Sequence, residues 1–387
     1  MNKIKTSIES QKATVLTGST ILANNGFRRL AGSTVGFIGN HTSLLNDSSP
    51  TLTSLLLSGC CTVARLFAPE HGAFGSYDDV VPDEWDQATG LTVHSLYGEH
   101  RQPLPSMLEG LDFLLFELQD VGARFYTYTA TLLLAIDAAA DAGIQLIVLD
   151  RPNPIGGSQA EGPIADGDKL SFVAPYSIPV RTGLTLGELA ILYAKETGKE
   201  SSVQVEKMKG WERPYYFDNI TVPWRPPSPA MTTPQTAMVY PGVCLLEQTN
   251  VSVGRGTLTP FEVTGAPYVD GNKWSAQINS QQLLGVTTVP AVFTPFSSKF
   301  EKHECRGVRI VITDINKFQP VQFGVLLLST LSMMYPKEFD IASANALLAS
   351  SGTLSQIIEG KDCREIAESW SEPLIGWLNR CKPILLY

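Results

Sequence analysis

Apolar residues in the first 150 positions fall into short runs that stop at polar groups. Thr34-Val35-Gly36-Phe37-Ile38-Gly39 empties into Asn40-His41-Thr42-Ser43, and Thr62 to Ala68 ends at Pro69-Glu70-His71-Gly72. Leu111 to Leu118 ends at Gln119-Asp120, and Ile144 to Leu149 ends at Asp150-Arg151-Pro152-Asn153-Pro154. Near-continuous apolar runs of this length predict strands buried on both faces. A further strand is expected over Thr92 to Gly98, after an acidic loop (Asp78, Asp79, Asp83, Glu84, Asp86) that reads as a solvated face.

Helical signals alternate with these runs. Ser19 to Asn25 is a short helix closed by Gly26, and a second helix surrounds Met107. Ser49-Pro50 reads as a cap with proline at the first helical position, then Leu52, Leu55 and Leu56 on one face and Gly59 as the stop. Thr127 to Ala142 lacks proline and internal glycine and is closed by Gly143. Thr185-Leu186-Gly187-Glu188 is a capping box opening a helix to Gly198, followed by a strand over Val203 to Met208. Strand and helix in alternation predict an α/β fold, an open, doubly wound and mostly parallel sheet. The stiff stretch Val222 to Pro229 marks a composition shift, so residues 1–225 are expected to form the α/β domain and 226–387 a smaller one. In the latter, Gly307 to Thr313 reads as a strand, Val321 to Tyr335 as a helix, and the tail from Ile341 as amphipathic helices.

Composition narrows the function. The 387 residues carry a net charge of −9 without a basic cluster, which argues against nucleic acid or an anionic membrane as partner. No run approaches a membrane span, and the N-terminus lacks the apolar core of a secretory signal. A cytoplasmic location is therefore expected, or a secreted or periplasmic one if a signal has been removed. Six cysteines (60, 61, 244, 305, 363, 381) show no zinc spacing and read as reduced core residues. Five histidines (41, 71, 94, 100, 303) show no ligand-pair spacing, so no metal is expected. Nucleophile-elbow, phosphate-loop and dinucleotide glycine patterns are missing too.

Strand C-termini of a parallel sheet share one edge, so Glu70-His71, Gln119-Asp120 and Asp150-Arg151 should converge there. Arg124 and Arg181 follow the later two. Carboxyl groups backed by guanidinium suit a polar, anionic small molecule. Two carboxyl groups across a cleft are also what glycoside hydrolysis needs, one giving a proton to the leaving oxygen and one attacking or activating water. Glu70, just beyond an apolar strand, is the expected acid through desolvation, with His71 either as its orienting hydrogen-bond partner or as a proton carrier.

Several segments occur in a characteristic order: Pro69-Glu70-His71-Gly72, Ser95 to Gly98, Gln119 to Tyr128, Leu149 to Pro154, Glu161-Gly162-Pro163, Pro227-Ser228-Pro229, Tyr240-Pro241-Gly242 and Ser252 to Thr257. Together they resemble the exo-β-N-acetylmuramidase family over nearly the whole chain. The resemblance implies a Rossmann-like domain with a smaller α+β C-terminal domain, no cofactor, and release of N-acetylmuramic acid from the non-reducing ends of peptidoglycan fragments. It places the family's catalytic glutamate at Glu70. The facing carboxylate is then Asp120, Glu247 or Asp150. His71, Arg124, Tyr126, Asp150, Asn153, Glu161, Arg181, Asn250 and Arg255 are the candidates for holding the sugar. Arg124, Arg181 or Arg255 would grip its lactyl carboxylate, and Tyr97, Tyr126, Tyr128 and Trp224 would line it. Departures from the family pattern are Glu117 for aspartate, Ala230-Met231-Thr232-Thr233 for Asn-Met-Pro-Thr, and Gln248 for glycine. The competing reading is a non-catalytic binding protein for amino-sugar fragments of the cell wall.

Overall fold

The computed structural model describes residues 12–74, 83–87 and 89–387. Of the acidic loop, Asp78 and Asp79 lie outside the described residues.

The strands are β1 (Thr34–Gly39), β2 (Thr62–Ala68), β3 (Glu84–Asp86), β4 (Leu91–Ser95), β5 (Phe113–Glu117), β6 (Gln145–Leu149), β7 (Glu161–Ile164), β8 (Pro179–Arg181) and β9 (Val203–Glu206). Seven of them form one sheet in the order β3-β4-β2-β1-β5-β6-β9, and β7 pairs with β8 separately. Every neighbour in the large sheet is parallel except β3 against β4. Leaving β3 aside, this is the strand order of the Rossmann fold, and its direction reverses between β1 and β5.

The faces are covered as double winding requires. Helices α1 (Gly18–Asn24) and α2 (Thr51–Ser58) place Leu22 and Leu55 against Val35, Phe37, Leu66 and Leu115. After the single turn α3 (Pro105–Leu108), helices α4 (Tyr128–Asp141) and α5 (Leu186–Thr197) cover the other face. There Leu132, Ile136 and Leu189 meet Leu114, Phe116, Leu146 and Val148. Alternate residues of β5 thus enter opposite cores, and each buried leucine or phenylalanine stabilises the sheet by roughly 1.5–3 kcal/mol. The cap of α2 is one residue later than its sequence implies: Pro50 is the N-cap, and the Ser49 hydroxyl donates to Asp47 instead. Around α5 the capping box forms as expected.

Beyond the proline-rich stretch come α6 (Pro234–Val243), β10 (Val263–Ala266), α7 (Gly271–Ser280), β11 (Val286–Phe293), β12 (Cys305–Ile312) and α8 (Pro320–Met334), then short helices to Cys381. The three strands form an antiparallel sheet in the order β10-β12-β11. Strand β11 escaped the sequence reading because Pro290 interrupts it, which its edge position tolerates. Helices α6 and α8 cross backbone to backbone at Gly242 and Gly324; a Cβ on Gly242 would lie 1.9 Å from the Pro320 carbonyl. Phe323, Leu327 and Leu328 of α8 join the same apolar cluster as α4 and α5, so both parts of the chain share one core. All six cysteines are free.

Candidate active site

The reversal between β1 and β5 opens a crevice at the carboxyl ends of the strands, the usual ligand position in such sheets. Strand β2 delivers Pro69-Glu70-His71-Gly72 there as a tight turn, with the Gly72 N–H donating to the Pro69 carbonyl at 3.0 Å. His71 sits at φ 72°, a left-handed conformation that costs a residue with a Cβ about 1 kcal/mol or more. The turn leaves Glu70 half-buried, and the Thr127 hydroxyl, just ahead of α4, donates to its Oε2.

Strand β5 delivers Asp120. Its Oδ2 accepts the Gly122 N–H at 2.7 Å, while Oδ1 is buried and has no partner. Gly122 is required here: it stands at φ 79°, and a Cβ would fall 2.4 Å from Asn153 Oδ1. Burial raises the Asp120 carboxyl to about 7, against the opposing N–H groups of Gly122 and Val121. The phenols of Tyr126 and Tyr128, with rings 4.8 Å apart, feel both Glu70 and Asp120 electrostatically. The Tyr128 hydroxyl donates to the Pro227 carbonyl at 2.9 Å and accepts from Asn40 Nδ2 at 2.8 Å. That of Tyr126 is buried, unbonded and next to Ser228.

The proline-rich stretch is therefore a wall of the crevice. His41, at the end of β1, lies with Nε2 2.7 Å from the Pro226 carbonyl, which places its proton on that nitrogen. Nδ1 is left as a buried acceptor without a partner. Burial lowers the His41 pKa, opposed by the Pro226 carbonyl and assisted by Arg225 and His71. His41 also lines a cavity of about 540 Å³ with Phe37, Leu44, Leu66, Phe74 and Trp224.

Known proteins share this fold. Residues 35–235 match the N-terminal model, and residues 238–387 the C-terminal model, of the exo-β-N-acetylmuramidase NamZ. The chain belongs to the NamZ family. It is 39% identical over 383 residues, 98% of this chain and 92% of the relative, to the peptidoglycan β-N-acetylmuramidase NamZ of Bacillus subtilis strain 168. Crystal structures of two DUF1343 family proteins from Bacteroides fragilis NCTC 9343 are also similar. One has a TM-score of 0.88 at 32% identity and the other 0.75 at 28%, each covering 96% of this chain and 99% of its own.

Within this NamZ-family fold, several residues expected at the sugar are taken up by the architecture instead. Arg124 is fully buried and donates to four carbonyls, of Pro163, Ile178, Leu347 and Leu348, at 2.7–3.0 Å. Arg181 is equally buried on Gln159 and the Ile155 carbonyl. Neither has a terminal nitrogen left for a lactyl carboxylate. Asp150 accepts from Thr185, Gly187, Tyr387 and its neighbour Arg151, which seats the N-terminus of α5. Glu161 does the same for α8 through the Gln322 N–H at 2.8 Å. Asn153 holds the Leu184 carbonyl, and Asn250 ties its loop to Glu338 and Asp340. Arg151 forms a buried ion pair with Glu117 at 2.7 Å, joined by Ser19. The variant glutamate therefore belongs to this brace and not to the crevice wall.

Glu247 and Arg255 pair with each other through Arg255 Nε, and the guanidinium lies 5.1 Å over the Phe261 ring. They lie beyond Tyr240, whose ring is 5.9 Å from Tyr126. Of the three expected guanidiniums, Arg255 is the one whose terminal nitrogens carry no bond among the described residues, and it remains part-exposed. Among the described residues, no group of three or more His, Cys, Asp and Glu is placed to hold a metal ion.

Sequence reasoning missed Asn40, His41 and Thr127. Asn40-His41 stood at a strand end like the other three pairs, so the edge rule alone points to them. Thr127 read only as the start of a helix, and nothing local marks its reach to Glu70, 57 residues away.

Proposed function

We propose that this chain is an exo-acting β-N-acetylmuramidase that releases N-acetylmuramic acid from the non-reducing ends of peptidoglycan fragments. The observation that carries this is the pair of carboxyl groups, Glu70 and Asp120, delivered to one crevice by β2 and β5 in a chain that matches the two NamZ models over residues 35–235 and 238–387. Glycoside hydrolysis asks for two such groups, and Asp120 is the one carboxyl of the three expected partners left without a cation or a full set of donors. Arg255 supplies the cation for the lactyl carboxylate. Its loop approaches Ser297 so closely that a Cβ on Gly256 would sit 2.2 Å from that carbonyl, and Glu247 holds Nε while the terminal nitrogens stay open.

The test offers chromogenic N-acetylmuramide and N-acetylglucosaminide side by side. Release from the muramide alone is expected; release from neither, or a preference for glucosaminide, sinks the reading. Arg255→Ala is expected to narrow the preference by roughly 10–100-fold, the loss of a charge-assisted bond worth about 1.5–3 kcal/mol.

A further inference from the structure

The two carboxyl groups differ in what surrounds them, and the difference bears on which one carries the proton. Glu70 Oε2 accepts a hydroxyl hydrogen bond from Thr127. An oxygen that accepts from a fixed donor holds negative charge well. Asp120 has the opposite setting. One of its oxygens takes the Gly122 N–H, and the other is buried with no hydrogen-bond partner among the described residues, the Val121 N–H acting on the carboxyl only electrostatically. It makes no ion pair among the described residues. A bare, buried carboxylate oxygen is costly, whereas a protonated one holds a hydrogen ready for an acceptor.

From this geometry we propose that Asp120 is the proton donor to the glycosidic oxygen and Glu70 the ionised carboxylate on the far side of the scissile bond. This rests on the muramidase reading and reverses the role expected of Glu70 from sequence. The Asp120 hydroxyl proton passes to the glycosidic oxygen as the bond from that oxygen to the anomeric carbon breaks, and the bonding pair leaves with the oxygen. Glu70 either bonds to the anomeric carbon or takes the proton of the water that adds there. In the first case Asp120 recovers its proton from the hydrolysing water, and in the second it does so from solvent. The phenols of Tyr126, ahead of α4, and Tyr128, its first residue, interact electrostatically with Asp120 and with Glu70. Burial holds both phenols neutral, so neither competes for this role near neutral pH.

The experiment compares two leaving groups in wild type, Asp120→Asn and Glu70→Gln. One is the natural disaccharide, whose departing oxygen needs a proton; the other is a dinitrophenyl muramide, whose departing oxygen does not. Asp120→Asn is expected to lose about 10²–10⁴-fold on the disaccharide and under about tenfold on the aryl substrate. Glu70→Gln is expected to lose comparably on both. An Asp120→Asn loss that is equal on both substrates, or absent, overturns the assignment, as does an aryl substrate that spares Glu70→Gln instead. Wild type releasing muramic acid from neither substrate overturns the muramidase reading itself. Should Asp120→Asn not fold, Thr127→Val decides the question. Losing the hydroxyl frees Glu70 Oε2 from the donor that Thr127 supplies, so turnover is expected to fall by a similar factor on the disaccharide and on the aryl substrate. A loss confined to the disaccharide, or no loss on either, overturns the assignment.

Discussion

Asp120 and Asp150 stand at equivalent places, each just past the end of a buried strand, and the fold treats them oppositely. Asp150 accepts four hydrogen bonds at 2.7–3.1 Å, from two hydroxyls and two backbone N–H groups. Asp120 has one bonded oxygen and one with nothing. Burial raises both, Asp150 to about 6 and Asp120 to about 7. Proximity to the strand ends therefore does not make a carboxyl catalytic. What distinguishes the two is unmet hydrogen-bonding capacity, because a satisfied group has nothing to offer a substrate.

The largest test of this contrast exchanges the consequences. Asp120→Asn should abolish most disaccharide turnover while leaving the melting temperature unchanged or raised, since a buried charge requirement is gone. Asp150→Ala should do the reverse, orphaning four donors at a stability loss on the order of 3–5 kcal/mol, with the folded fraction still active. Denaturant midpoints beside turnover per folded molecule measure both. Asp120→Asn behaving like Asp150→Ala would erase the distinction.

Arg124→Leu sharpens it from the cationic side. Four carbonyls lose their donor, two of them in the Leu347–Leu348 segment of the C-terminal part. A loss of about 3–5 kcal/mol is expected, with no change in muramide preference. A selective loss of affinity for muramide over glucosaminide would restore Arg124 to the sugar site.

Stability against pH tests both aspartates together. Asp120 and Glu161 are raised to about 7 and Asp150 to about 6, above their unfolded values near 4. The folded state holds these protons more tightly than the unfolded one. Their contribution is complete below about pH 4 and is lost as pH rises through 6 to 7. Asp120→Asn should therefore gain on wild type between pH 5 and 8, by on the order of a few kcal/mol, as urea midpoints would show. A pH-independent difference would mean that Asp120 is ionised throughout.

The smallest expected effect is at the chain end. The Tyr387 hydroxyl donates to Asp150 at 2.8 Å, and its ring lies 5.3 Å from Trp211. Tyr387→Phe removes one of four donors and should cost about 0.5–1.5 kcal/mol without touching catalysis. A larger loss of turnover than of stability would tie Asp150 to the reaction after all.

The amino-acid sequence determined the parallel strands and the main helices of the first half, but not β3, which lies within the acidic loop read as a solvated face, nor the β7–β8 pair. Apolar runs at strand length, glycine stops at Gly59, Gly143 and Gly198, and the Thr185–Glu188 capping box are local signals, and all three kinds appear in the fold. Alternation of strand and helix then brought Glu70, Asp120 and Asp150 to one edge, since parallel strands share their carboxyl ends. Tertiary structure alone decided which of them was left open. The partners that satisfy Asp150 lie as far as 237 residues away at Tyr387, and Arg124 finds its carbonyls up to 224 residues on. Hydrogen-bond satisfaction is a property of neighbours in space, so no spacing along the chain marks Asp120 as the carboxyl without a full complement.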